Sequence, residues 1–345
     1  MASEDLLEPE KPKQIKLKRI LSGMRPTGKM HLGNYYGALI NWVRLQEDYQ
    51  CFYFVADWHA LTTEYESPGP IGEYIHEMVL DWLSVGLDPE KSTIFLQSAI
   101  PEHAELYLIF GMFTPVPWLE RNPTYKEMIQ ELTGKDLATH GFLGYPVLQA
   151  ADILMYKPDG VPVGKDQEPH VEMTREIARR FNHLYRPIFP EPRTLLTQEP
   201  KLTGTDGRKM SKSYGNCIYL SDPPEIIRQK VRAMITDTQR PRKKDPGEPD
   251  RCLSFPFHRL NLGLDRLEEI VGTCRSSTLG CVDCKEMLAR ALLENLAPIQ
   301  ARRRHYEARP DAVRQVLVEG ISRARDMARK TLAEVKDAIG FNFGY

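Results

Sequence analysis

The sequence predicts an α/β fold on a doubly wound parallel sheet, followed by an all-helical region, and three observations carry this. Strand-like runs at residues 17–22, 51–56 and 93–98 alternate with stretches of helical spacing, a pattern that builds a parallel sheet with helices on both faces. A glycine-containing loop, Ser22-Gly23-Met24-Arg25-Pro26-Thr27-Gly28, joins the first run to a helix start at His31-Leu32-Gly33-Asn34. From residue 285 to 339 the apolar residues repeat at three and four, so the chain finishes as helices.

Each element follows from its residues. Gly23, Gly28 and Gly33 leave room for close backbone approach, and Tyr35-Tyr36-Gly37-Ala38-Leu39-Ile40-Asn41-Trp42 has helical spacing. Backbone N–H groups at such a helix start attract phosphate. A helix is expected over 73–85, with Ile75, Met78, Val79 and Trp82 on one face and Gly86 at its end. Asp222-Pro223-Pro224-Glu225 reads as a helix start with cap and capping-box partner, followed by Ile226, Ile227, Val231, Met234 and Ile235.

At 345 residues one large domain plus a smaller one is the expected plan. The boundary is placed at a lysine-bearing loop, which gives a tail 1–19, a doubly wound domain 20–205, a loop and hinge 206–216, and a helical domain 217–345 with a cysteine-rich insert 252–284. Residues 1–19 are acidic, notably over 3–10, then lysine-rich, with no apolar centre. No apolar run approaches the ~20 residues of a membrane helix, so a cytoplasmic protein without membrane contact is expected. A formal net charge of −1 argues against general polyanion affinity. Local basic patches remain: Arg228, Lys230, Arg232, Arg240, Arg242, Lys243 and Lys244, and Arg302-Arg303-Arg304. A solvated helix face followed by a charged loop accounts for either patch taken singly.

A second short word lies far from the first. Gly204-Thr205-Asp206-Gly207-Arg208 leads into Lys209-Met210-Ser211-Lys212-Ser213, two lysines around small hydroxyl residues that suit a polyphosphate clamp. A lysine pair in a glycine loop is more often a solvated turn. The two words together resemble the signature sequences of class I aminoacyl-tRNA synthetases. Four further segments are similar to the bacterial tryptophanyl-tRNA synthetases: Ser22 through Tyr35, Ala56-Asp57-Trp58-His59-Ala60-Leu61-Thr62, Tyr145-Pro146-Val147-Leu148-Gln149-Ala150-Ala151-Asp152-Ile153-Leu154, and Val161-Pro162-Val163-Gly164-Lys165-Asp166-Gln167-Glu168-Pro169-His170. They occur in the family's order over nearly the whole chain after residue 19.

The resemblance implies a Rossmann-type catalytic domain and a helical anticodon-binding domain. It also implies a ligase that attacks the α-phosphate of ATP with the tryptophan carboxylate, expels pyrophosphate and passes the acyl group to the 3′ end of tRNA(Trp). Most of that barrier is charge gathering on phosphoryl oxygens, so positioned cations and N–H donors matter more than a covalent nucleophile. By the same resemblance His31 and Asn34 lie against the phosphates and Gly33 against adenine and ribose. Ser22, Gly23, Met210 and Ser211 complete the nucleotide contacts, and Lys209 and Lys212 follow charge onto the pyrophosphate with Mg2+. Arg25 stands where many relatives carry glutamine and adds a cation. Met128 and extra residues before Gly134 stand where relatives place a lysine just after the match to Lys126.

Gly164 and Asp166 match the ribose-binding turn and Gln167 the ligand of the substrate's amino group; by themselves they are a polar turn after a short strand. A pocket that prefers indole to phenyl needs a buried acceptor for its one N–H. Asp152 is expected in that role, with Leu21, His59, Tyr145, Gln149, Val161 and Val163 lining the ring. Gln149 in place of a common methionine, and Leu21 in place of a phenylalanine, open the alternative of tyrosine as substrate. A paralogue that forms adenylates or binds partners without efficient tRNA charging is the other alternative. A homodimer is implied, with Ile109-Phe110-Gly111-Met112-Phe113-Thr114-Pro115-Val116-Pro117-Trp118 apolar enough for an interface, though a buried helix-loop reads equally well.

Four of the six cysteines, Cys252, Cys274, Cys281 and Cys284, fall in a C-x21-C-x6-C-x2-C arrangement. Reducing compartments disfavour structural disulfides, which leaves metal binding or chance. Zinc and an iron–sulfur cluster suit the ligands equally. The resemblance then favours [4Fe–4S], because some bacterial relatives hold one beside the anticodon region. In that reading the cluster orders a loop-rich insert over 241–282, while Cys51 and Cys217 are isolated thiols.

Overall fold

The computed structural model describes residues 19–123, 125, 137–196 and 202–341. Five parallel strands, β1 (Arg19–Met24), β2 (Gln50–Val55), β3 (Ser92–Leu96), β4 (Gly160–Val163) and β5 (Arg193–Leu196), lie in the order β3-β2-β1-β4-β5. Leu21 pairs with Phe52, and Phe52 in turn with Thr93. Period-2 alternation sends Ile20, Cys51, Tyr53 and Val55 into one core and Leu21, Phe52 and Phe54 into the other, one on each face of the sheet. The expected parallel, doubly wound sheet is present, with strand ends shifted by one or two residues.

The first crossover begins with the short helix α1 (Leu32–Asn34), widens into a π-helical turn over Tyr35–Leu39, and continues as α2 (Ile40–Leu45). After β2 come α3 (Asp57–Glu64) and α4 (Ile71–Val85), the latter ended by Gly86 at φ 112°. Between β3 and β4 lie α5 (Glu102–Gly111), α6 (Val116–Glu120) and α7 (His140–Met155), and α8 (Glu168–Leu184) leads to β5.

The second half is helical. It comprises α9 (Pro224–Ala233), α10 (Phe255–Asn261), α11 (Leu264–Arg275), α12 (Cys281–Glu307) and α13 (Pro310–Ala338). These helices share cores with the sheet: α12 packs on α4, and α13 runs along β3 and α5. At that edge Arg323 Nη2 donates to Pro89 O at 2.8 Å, so a helix covers the exposed rim of the sheet.

Two sequence expectations are corrected. Asp222 does not cap α9; the N-cap is Pro223, and the Asp222 carboxylate accepts from Tyr219 N at 2.8 Å and Lys230 Nζ at 2.6 Å instead. The insert over 241–282 is less loop-rich than expected, because buried Phe255, Phe257 and Ile270 anchor α10 and α11.

Candidate active site

A cavity of about 290 Å3 opens at the carboxyl ends of β1 and β4. β1 bonds to β2 on one side and to β4 on the other, which makes this the point where strand order reverses and where open α/β sheets bind ligands. β1 supplies Leu21, Ser22 and Gly23; β4 supplies Val161 and Val163; α7 supplies Tyr145 and Gln149; His59 and Gln167 close the sides. Ser22 Oγ donates to Pro162 O at 3.0 Å and ties the two strands together at the floor. Gly23 is required there, since a Cβ would lie 2.4 Å from the Phe54 ring.

Asp152 is the exception among the expected pocket residues. It is fully buried and stands one layer behind the wall rather than on it. Its carboxylate accepts from His59 Nε2 at 2.8 Å, His103 Nδ1 at 2.6 Å and Gln97 Nε2 at 2.8 Å, while His103 Nε2 meets Tyr156 Oη at 2.7 Å. Burial alone would raise the Asp152 pKa, but the bonds from His103 and His59 outweigh it and hold the group below the ordinary carboxylate range. Of these donors His59 lines the cavity. The acceptor expected to face indole is thus engaged by three side chains, and His59 stands between it and the space.

Tyr145 is oriented by a residue that sequence reasoning did not place in the site. Asn122 Nδ2 donates to His170 Nδ1 at 3.1 Å, which leaves His170 Nε2 to donate to Tyr145 Oη at 3.1 Å. Burial, helped by His59, lowers the His170 pKa to about 4, so the ring is neutral. Phe54, Phe142, Ile153 and Thr62 also line the cavity. The alternation of β2 could have flagged Phe54, and His170 closes one of the family-like segments although no role was read for it; nothing local marks Asn122, His103 or Gln97.

The two distant words are in contact through the loop that follows β1, whose Arg25 lines this cavity. Lys212 Nζ donates to Thr27 O, and to Thr27 Oγ1 at 3.1 Å, while Gly33 N approaches Met210 Sδ at 3.4 Å. His31 bridges to Tyr219, with Leu32 N donating to Ile218 O at 2.9 Å. Asn34 Oδ1 accepts from His31 N at 3.1 Å, and His31 Nδ1 from Asn34 N at 3.3 Å, a reciprocal cap that fixes the helix start. The lysine loop is tied by Asn216, whose side chain bonds Asp206 at 2.7 Å, Ser211 N at 2.8 Å and Lys209 O at 3.1 Å. Sequence reasoning passed over Asn216, which carries no motif signal.

Electrostatics separate the two signature groups. Burial, then Lys212, pushes His31 down to about 4, so its ring is a neutral hydrogen-bonding group. Burial lowers Lys212 to about 8, against the pull of Cys217 and Asp81. The Lys209 side chain is exposed, Arg25 lines the cavity, and Ser211 Oγ bonds Ser213 Oγ at 2.9 Å. Gly164 leaves space that a Cβ would take from Asp166 Oδ1, and the exposed Asp166 accepts from Gln167 Nε2 at 3.1 Å. Lys126, Met128 and Gly134 lie outside the described residues.

Neither basic patch is uniform. Arg240 is buried and directs Nη1 at the sulfurs of Cys274 and Cys281, 3.8 Å from each. Arg303 is buried among carboxylates. Neither is a free cation for a polyanion, whereas Arg232, Arg242, Lys244, Arg302 and Arg304 are exposed. Cys252, Cys274, Cys281 and Cys284 line one small void with Arg240 and Ser254, and all six cysteines are free thiols. Burial followed by the neighbouring sulfurs pushes Cys284 up to about 12 and also raises Cys274. Four converging thiols that repel one another as thiolates fit a cationic centre. Among the described residues, however, no three His, Cys, Asp or Glu side chains are gathered around a single metal-ion position.

A doubly wound sheet, a cavity at its switch point and two signature segments in contact with each other define an α/β protein on the plan of the nucleotide-binding folds. A family model described as tRNA synthetases class I (W and Y) matches residues 15–297. The tryptophan–tRNA ligase of Thermotoga maritima is 52% identical over 94% of this chain and 100% of its own length, and that of Aquifex aeolicus 46% identical over 93% and 99%. The crystal structure of the Campylobacter jejuni tryptophanyl-tRNA synthetase complexed with ADP and tryptophan superposes with a TM-score of 0.85 at 33% identity, covering 93% of this chain and 99% of that one. The chain belongs to the class I tRNA synthetase family for tryptophan and tyrosine.

Proposed function

We propose that the protein is a tryptophan–tRNA ligase that forms tryptophanyl-adenylate and charges tRNA(Trp). The contact of Lys212 with Thr27 supports this reading, because it joins the lysine loop to the segment that leads from β1, whose Arg25 lines the largely apolar cavity, into the first signature segment. ATP lies along that junction, with Ser22, Gly23, Arg25, Gly33, Gly164 and Asp166 on the nucleoside side and His31, Asn34, Lys209, Met210, Ser211 and Lys212 toward the phosphates. Tryptophan fills the cavity between Leu21, Val161, Val163 and Gln149, its ammonium near Tyr145 and Gln167. A tryptophan carboxylate oxygen attacks the α-phosphorus, the bond to the bridging oxygen breaks, and pyrophosphate leaves with the electron pair. A ribose hydroxyl at the tRNA 3′ end then attacks the acyl carbon and AMP leaves.

His31 serves as a neutral donor to phosphate and Lys212 as the cation that follows the departing charge. Mg2+ shares the phosphate charge when bound. The His59–Asp152 pair presents the polar wall that the indole N–H requires; for the carboxylate itself to accept from indole, His59 must yield its bond. Pyrophosphate exchange with tryptophan and tyrosine tests the assignment. Exchange is expected with tryptophan, and a tyrosine preference overturns it.

Two further features belong to the same proposal. The four cysteines hold a [4Fe–4S] cluster, with zinc as the competing occupant, which fixes α10 and α11 beside the anticodon-facing surface. Visible absorption with metal analysis of anaerobically prepared protein decides this, and protein free of both iron and zinc ends it. A homodimer forms through the apolar face of α5 and α6, where Leu108, Met112 and Val116 are exposed at 57%, 74% and 51%.

A further inference from the structure

One buried side chain of α12 is linked through a single carboxylate to the segment before His31, without touching the cavity. Arg303 meets the fully buried Asp81 of α4: Nη1 donates to Asp81 Oδ1, Nη2 to Glu77 Oε2 at 2.6 Å, and Nε to Glu307 Oε1 at 2.8 Å. The other Asp81 oxygen, Oδ2, accepts from the backbone N–H of Met30 at 2.7 Å. Met30 immediately precedes His31, and its carbonyl accepts from Leu220 N at 3.0 Å, in the segment that leaves the lysine loop. Both main-chain groups of this one residue are therefore held, one by the segment that follows the lysine loop and one by an ion pair rooted in the C-terminal helices.

Packing alone does not account for the pair. Two charges taken from water are costly, and apolar residues of similar volume would hold α4 on α12 at least as well. An ion pair with one oxygen committed to a backbone amide instead fixes where that amide lies. Asp81 is also among the charges that favour the protonated form of Lys212.

We infer that Asp81 and Arg303 are positioning residues for adenylate formation: acting through the Met30 amide, they set the backbone of His31-Leu32-Gly33-Asn34 for ATP, so that α12 governs the nucleotide site's geometry. Neither touches the nucleotide. The inference rests on the proposed reading of that segment as the ATP side of the site.

Two double substitutions in tryptophan-dependent pyrophosphate exchange test it. Asp81→Asn with Arg303→Met removes both charges but keeps an oxygen for Met30 N–H; Asp81→Leu with Arg303→Met removes that acceptor too. The leucine double is expected to raise KM for ATP about 10-fold or more, as loss of a charge-assisted hydrogen bond implies. KM for tryptophan should stay within about 2-fold, and the asparagine double should fall between the wild type and the leucine double, because it keeps an acceptor for Met30 N–H but loses the hold of α12 on it; an asparagine double that matches wild type would remove Arg303 from the role. An unmoved ATP KM in the leucine double, or ATP and tryptophan KM rising together, overturns the inference.

Should the doubles fail to fold, hydrogen–deuterium exchange of Arg303→Lys, which keeps the charge but loses the fork, gives the same decision. Faster exchange confined to residues 30–34 supports the role, and exchange unchanged there or raised evenly along α4 and α12 refutes it. Wild-type protein inactive in tryptophan-dependent exchange removes the ATP reading itself, whereas active wild type with indifferent variants removes the clamp alone.

Discussion

Lys212 shows how a single residue's chemistry depends on its surroundings. Its ammonium matters as pyrophosphate departs, so Lys212→Ala is expected to lower the exchange rate by about 10²-fold or more while equilibrium tryptophan binding changes little. Equal losses in both would assign it a binding role instead. Because burial lowers its pKa to about 8 in the free protein, the charged form is lost as pH rises through that value. The ratio kcat/KM for ATP should therefore fall above about pH 8, since that ratio reports the free enzyme. Lys212→Arg, with a guanidinium that stays protonated, should carry the falling limb upward, and an unmoved limb would assign it to another group. Lys212 was legible from its motif. Asn216, which ties its loop, was not, because a lone asparagine in a loop has no pattern and acquires its role from three partners met only after folding.

At the scale of elements, the sheet and α4 were readable because local spacing and global packing agree. The cap of α9 departs from expectation because Asp222 accepts an equivalent backbone N–H from Tyr219 and in addition the Lys230 ammonium, a charge-assisted bond that an N-cap does not supply. The contact between α13 and β3 is set by Gly320, where a Cβ would lie 1.7 Å from Ile94 O, a backbone atom that cannot give way. Gly320→Ala should force the helix off the edge strand and cost about 1–3 kcal/mol, read as a lower denaturant midpoint. Wild-type stability in that variant would mean the helix shifts freely. Gly23→Ala tests the cavity floor in the same way: its methyl group displaces Phe54, so tryptophan affinity should fall more than ATP affinity.

For the whole molecule, the length of α12 is the main fact. Its 27 residues span roughly 40 Å, with Cys281 and Cys284 at one end and Arg303, on the ion pair to Asp81, near the other. Iron or zinc lost from the thiols should thus loosen the start of α12, and chelation is expected to lower thermal stability in proportion to metal removed; stability indifferent to chelation would leave the thiols without a structural metal. Assembly is the second prediction at this scale. Met112→Glu places a charge on the most exposed apolar side chain of the α5 face and should shift the mass in light scattering from dimer toward monomer, while a monomeric wild type would dismiss the interface.

The sequence by itself determined the alternation that makes a parallel sheet, the helical ending, both phosphate-suited words and the four-cysteine spacing, because each is written in residues close enough along the chain to show a period or a motif. Only the tertiary structure decided that Asp152 stands behind His59, that Arg240 and Arg303 are buried rather than offered to a polyanion, and that Met30 is held from α12. Those outcomes depend on which side chains meet across long stretches of chain, and desolvation and hydrogen bonding choose the partners only once the core has closed.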